Sequence, residues 1–75
     1  MFVGFDSANL KGTNFANTSL QNVVFTNTDL SNADLSGADL RNSVLINTDL
    51  SGANLNGAKL DGAILNCKNH AICNQ

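Results

Sequence analysis

The sequence predicts an all-β fold, a four-sided solenoid wound around a ladder of Leu and Phe, and three observations carry that reading. Every fifth residue from Phe5 to Leu65 is Leu or Phe, thirteen in succession. Asn or Gly stands two residues after nearly every one of them, from Gly12 and Asn17 to Gly62. The residues that depart from the pattern fall into columns when the chain is cut every twenty residues. A period this strict is read as stacked units before any local propensity is weighed.

The ladder comprises Phe5, Leu10, Phe15, Leu20, Phe25, Leu30, Leu35, Leu40, Leu45, Leu50, Leu55, Leu60 and Leu65. On an α-helix, five residues advance the side chain by roughly 500°, so the ladder would spiral around the axis and leave no apolar stripe. In one continuous strand, residues five apart point to opposite faces. What remains is a chain that turns a corner once per unit. Asn and Gly suit that corner, because they tolerate positive φ or bond their own backbone. Two residues before each centre the side chain is small or β-branched, as at Ala8, Thr28, Ser43 and Ala53, which suits a second inward position.

The number of units per coil follows from the exceptions. An offset of twenty aligns Val24 with Val44 and Ile64, and Phe5 with Phe25, Leu45 and Leu65. An offset of fifteen sets Val24 over Asp39 and Asn54, and Val44 over Lys59, which scatters them. Four units per coil are therefore expected, in about three and a quarter coils. The register stops after Leu65, since the next central position is His70 and its inward partner would be Lys68. Residues 1–67 are assigned to the solenoid and 68–75 to a C-terminal tail or cap.

The units Ala33-Asp34-Leu35-Ser36-Gly37, Ala38-Asp39-Leu40-Arg41-Asn42 and Ala53-Asn54-Leu55-Asn56-Gly57 resemble the A(D/N)LXX signature of the pentapeptide-repeat proteins. That resemblance extends over about residues 1 to 67 and implies a right-handed quadrilateral parallel β-helix. The central residue and the small residue two before it would both point inward. Some members of that family are acidic rods that imitate duplex DNA and bind DNA gyrase. Asp29, Asp34, Asp39 and Asp49 would be the counterpart here, interrupted by Lys11, Arg41 and Lys59.

Composition bounds the rest. Seventy-five residues allow one domain, and a core of this size usually needs a cap, a staple or a partner. The chain has no Pro, as suits a backbone committed to a ladder. No apolar run reaches transmembrane length, and Met1 to Phe5 lead into the repeats without a signal sequence. A cytoplasmic location is expected if Met1 is the true start. A periplasmic or thylakoid-lumenal one is expected if the cysteines are bridged and a leader was removed.

Open solenoid ends invite pairing unless covered. Met1 and Phe2 are read as a partial lid on the first coil, and residues 66–75, with Ile72, as the lid on the last. Cys67 and Cys73 bracket His70 and leave three readings: a disulfide, free thiols or a metal site. A continuous helix would hold their Cα atoms about 9 Å apart, too far for a bridge, so a disulfide requires a loop.

Outward positions are where a function must lie. Three faces are polar, through Asn9, Asp29 and Asp49, through Asn14, Asp34 and Asn54, and through Ser19, Asp39 and Lys59. The fourth carries Gly4, Val24, Val44 and Ile64 before the centre, with Thr26 and Ile46 after it. Val24, Val44, Ile46 and Ile64 thus form a candidate wall for docking a protein partner or for self-association, a homodimer included. The same residues would also suit a wall that merely favours extended backbone or one covered by the tail. Catalysis is not expected, because the acids follow the repeat and the inward Ser and Thr have no base beside them. No cofactor is expected either. Without a basic patch or exposed aromatic residues, direct nucleic-acid binding is not expected.

Overall fold

A computed structural model describes residues 3–73. Four strands, β1 (Val3–Asp6), β2 (Val23–Thr26), β3 (Val44–Asp49) and β4 (Ile64–Lys68), form one parallel sheet in the order β1-β2-β3-β4. Their register is the twenty-residue offset: Phe5 pairs with Phe25, Phe25 with Leu45, and Leu45 with Leu65. Single parallel bridges build the other three faces, as between Asn9 and Asp29, Asn14 and Asp34, and Ser19 and Asp39. No helix occurs among the described residues, so none is long and apolar enough to cross a membrane.

The corners explain the fivefold period. Ser7, Asn17, Asn22, Asn27, Asn32, Asn42 and Asn47 have φ between 52° and 63°, and the corner glycines share that left-handed region. A short polar side chain or none makes that conformation cheap. Where Asp or Asn precedes the centre, an Asx turn sets the corner up from the other side. The side-chain Oδ1 of Asn14, Asp29, Asp34, Asp49 and Asn54 accepts the amide two residues later at 2.9–3.0 Å. The Asp or Asn before each centre is therefore a bend-former.

Between corners the centres stack inward. Phe25, Leu30, Leu35, Leu40, Leu45 and Leu50 are fully buried, with Ala33 and Ala38 beside them. Phe5 and Phe25 stack with ring centroids 5.3 Å apart. The buried threonines are bonded: Thr28 Oγ1 donates to the Phe5 carbonyl at 2.8 Å, and Thr48 Oγ1 to that of Phe25 at 3.0 Å. Among the described residues no buried side-chain polar atom lacks a partner, as a stable core requires. The ladder is less covered at its two ends, where Phe5, Leu10 and Phe15, and again Leu55, Leu60 and Leu65, are only half-buried. The lid expected of Met1 and Phe2 lies outside the described residues.

Candidate interaction surface

The sheet β1–β4 turns its inner face to the ladder and its outer face to solvent, because alternate residues of a strand point to opposite sides. Val24, Val44 and Ile64 stand on that outer face in consecutive strands, in direct register. Val24 and Val44 are half-buried by their neighbours, whereas Ile46 is 41% and Ile64 48% exposed. Those two are the large apolar side chains left exposed among the described residues. Ile46 sits between Thr26 and Asn66 on the adjoining strands, so the patch runs diagonally across β3 and β4. Residues 68–73 leave both isoleucines exposed.

The polar faces are engaged with themselves. Ser31 Oγ donates to Asp29 at 2.6 Å and Ser36 Oγ to Asp34 at 2.7 Å; each bond holds its carboxyl below the usual carboxylate range. Arg41 grips both oxygens of Asp39, Nε at 2.9 Å and Nη2 at 2.7 Å, and Gln21 Nε2 adds a bond at 2.6 Å. The guanidinium holds Asp39 furthest below that range. At Asp49 the Ser51 amide, helped by Asn69 Nδ2, does the same. The four acids of the candidate DNA-like surface thus serve their own corners.

The register changes locally at β4. Ile46 pairs with Asn66 but Asp49 with Lys68, so β4 cuts its corner one residue short of β3. Cys67 thereby turns inward and is buried, and the left-handed corner moves to Asn69, φ 68°. The Lys68 carbonyl still accepts the Leu50 amide at 3.1 Å. Cys67 and Cys73 are joined by a disulfide with Cα atoms 5.0 Å apart, across a loop as that bridge requires. Ile72 packs against the core.

His70 was not legible as a functional residue from sequence, although it continues the column of Leu10, Leu30 and Leu50. In earlier coils the carbonyls of Ala8, Thr13 and Ala33 accept the amides of Asp29, Asp34 and Asn54. The Ala53 carbonyl meets His70 Nε2 at 3.2 Å, while Nδ1 accepts the Ile72 amide at 3.3 Å. That pair of bonds assigns the proton to Nε2.

A shallow polar recess of about 230 Å3 opens beside the shortened corner, lined by Asn27, Thr28, Asp29, Asn47, Asp49 and Lys68. No cluster of His, Cys, Asp and Glu able to hold a metal occurs among the described residues.

Comparison with known proteins agrees with the geometry. The family model described as pentapeptide repeats matches eight copies, over residues 5–42 and 29–66. Among solved structures, a pentapeptide repeat protein from the cyanobacterium Cyanothece is 31% identical with a TM-score of 0.79, over 87% of this chain and 43% of that one. HetL, a pentapeptide repeat protein involved in heterocyst differentiation regulation in the cyanobacterium Nostoc, is 34% identical with a TM-score of 0.57, over 83% of this chain and 27% of that one. A pentapeptide repeat protein from the Arabidopsis thaliana thylakoid lumen is 28% identical with a TM-score of 0.46, over 96% of this chain and 55% of that one. The chain spans less than half the length of the first two. No curated protein matches it. With its corners, its ladder and its twenty-residue register all repeating the unit that the family is defined by, the chain belongs to the pentapeptide-repeat family.

Proposed function

We propose that the chain is a non-enzymatic interaction module that packs the wall of Val24, Val44, Ile46 and Ile64 against a protein surface, in the simplest case that of a second copy. The observation that carries this reading is the exposure of Ile46 and Ile64 on the same sheet face as Val24 and Val44. On a rigid sheet these side chains lose little freedom on docking, so their burial adds to affinity with small entropic cost.

The acidic faces support a nucleic-acid mimic less well, since Asp39 is bridged by Arg41 and the net charge is only −2. The Cys67–Cys73 bridge supports an oxidising compartment, such as the periplasm or the thylakoid lumen. The wall is tested by light scattering of the double variant Val44→Ser, Ile46→Ser. Association through the wall should be lost, with a fall in the associated mass, while the far-UV circular dichroism is retained; an unchanged associated mass would sink the reading.

A further inference from the structure

Resting on that reading of the wall, we propose that its occupant is the same wall of a second copy, laid face to face about a two-fold axis that runs along the strands between Val24 and Val44. The coils of the two copies then run in opposite directions. The outer face of the sheet consists of two columns of four residues. Gly4, Val24, Val44 and Ile64 pair in succession from β1 to β4, and so do Asp6, Thr26, Ile46 and Asn66. The first column grows along its length, from no side chain at the exposed Gly4 to an isoleucine 48% exposed at Ile64. The wall is therefore a wedge, thin at β1 and thick at β4.

A wedge packs evenly against its own copy only when thick meets thin. Two sheets laid face to face about a two-fold axis have two regular choices. An axis along the solenoid sets β4 against the partner's fourth strand, which gathers the bulk of both copies at one end and leaves a gap at the other. An axis along the strands reverses the coil order and keeps each column opposite itself. Ile64 then enters the space over the partner's Gly4, Val24 meets the partner's Val44, and Thr26 meets the partner's Ile46. Close packing favours this second choice, because a gap forfeits the contacts of every atom that lines it.

The polar groups follow the same pairing. Asp6 is the one ionisable side chain among the eight residues, and the reversed order sets it opposite the partner's Asn66, whose amide can donate to the carboxylate. Like charges do not meet. The contact is isologous and closes at two copies. With strands about 4.8 Å apart and a rise of about 3.3 Å per residue, the face measures roughly 250 Å2, so the dimer buries on the order of 600 Å2 in all. That is the range of transient contacts, and the dimer is expected to be weak and concentration-dependent.

Gly4 gives the test its handle. A Cβ there would meet the Val24 carbonyl oxygen at 3.9 Å and nothing closer, an ordinary contact, so a valine suits the strand in the monomer. Sedimentation equilibrium from about 20 μM to about 2 mM should show the unmodified chain approaching twice the monomer mass. Gly4→Val should weaken dimerisation about tenfold, because it fills both sockets. Gly4→Val with Ile64→Ala, which moves the bulk to the other end, should restore it. Packing by apolar area alone predicts the reverse, since Gly4→Val enlarges the patch; a dimer as tight or tighter in that variant overturns the proposal. Should the variant misfold, nuclear Overhauser contacts in a mixture of differently labelled unmodified copies decide. Contacts between the Ile64 methyls of one copy and the partner's Gly4 support the proposal, and a dimer without them overturns it. A monomer throughout overturns it as well but leaves docking of the wall on another protein standing, whereas a dimer unaffected by Val44→Ser, Ile46→Ser sinks both.

Discussion

Glycine at a corner serves two purposes, and Gly12 and Gly52 separate them. Both have φ near +70°, but a Cβ on Gly12 would meet nothing within 4 Å, whereas one on Gly52 would collide with Asn32 Oδ1 of the coil before. Gly12→Ala should therefore cost about 1 kcal/mol, for the left-handed backbone alone. Gly52→Ala should cost measurably more in urea unfolding, unless Asn32 swings aside; equal losses would show that the asparagine yields freely. The aspartates make a second prediction at this scale. Asp29, Asp34, Asp39 and Asp49 have lowered folded-state pKa values, so each contributes stability that is present above the unfolded value and lost as pH falls through the folded one. Thermal stability should stay level from neutral pH to about 5 and then fall progressively below about 4. A melting temperature that rises on acidification would contradict the bonds described. These acids look solvated in sequence, because outward position is visible in a repeat but an Asx turn is visible only in geometry.

At the scale of the element, the repeat pattern carries the ladder, the corners and the twenty-residue register, since each follows from a side-chain size or a φ preference that recurs in every unit. The shortened corner and the disulfide loop at β4 each occur once and leave no such pattern. The one-residue shortening between Asn66 and Lys68 is visible only in how β4 pairs with β3. Likewise, a lone His70 gives no sign that its ring bonds the Ala53 carbonyl. The disulfide holds both features in place, across a separation of six residues. Cys67→Ser with Cys73→Ser should lower stability by about 2 kcal/mol. Exchange should quicken at the Leu50 amide, which Lys68 caps, before it does in β2. Uniform quickening through all four strands would mean that the tail acts on the whole fold.

At the scale of the molecule, regular parts and exceptions have separate roles. Repetition stacks one kind of side chain into a core too small to stand on burial alone, and coil-to-coil hydrogen bonds complete it. The exceptions lie outside, where Val24, Val44, Ile46 and Ile64 replace polar residues in a sheet that the fold holds rigid. Their alignment was legible as a column, but their exposure was not, because a folded-back tail would have produced the same sequence. Docking through this wall is read from the methyl resonances of these four residues over a dilution series. They should shift together, more than the buried methyls of Leu35 and Leu40, and Val44→Ser, Ile46→Ser should abolish the shifts left at Val24 and Ile64. Association that leaves all four methyls unmoved would contradict it.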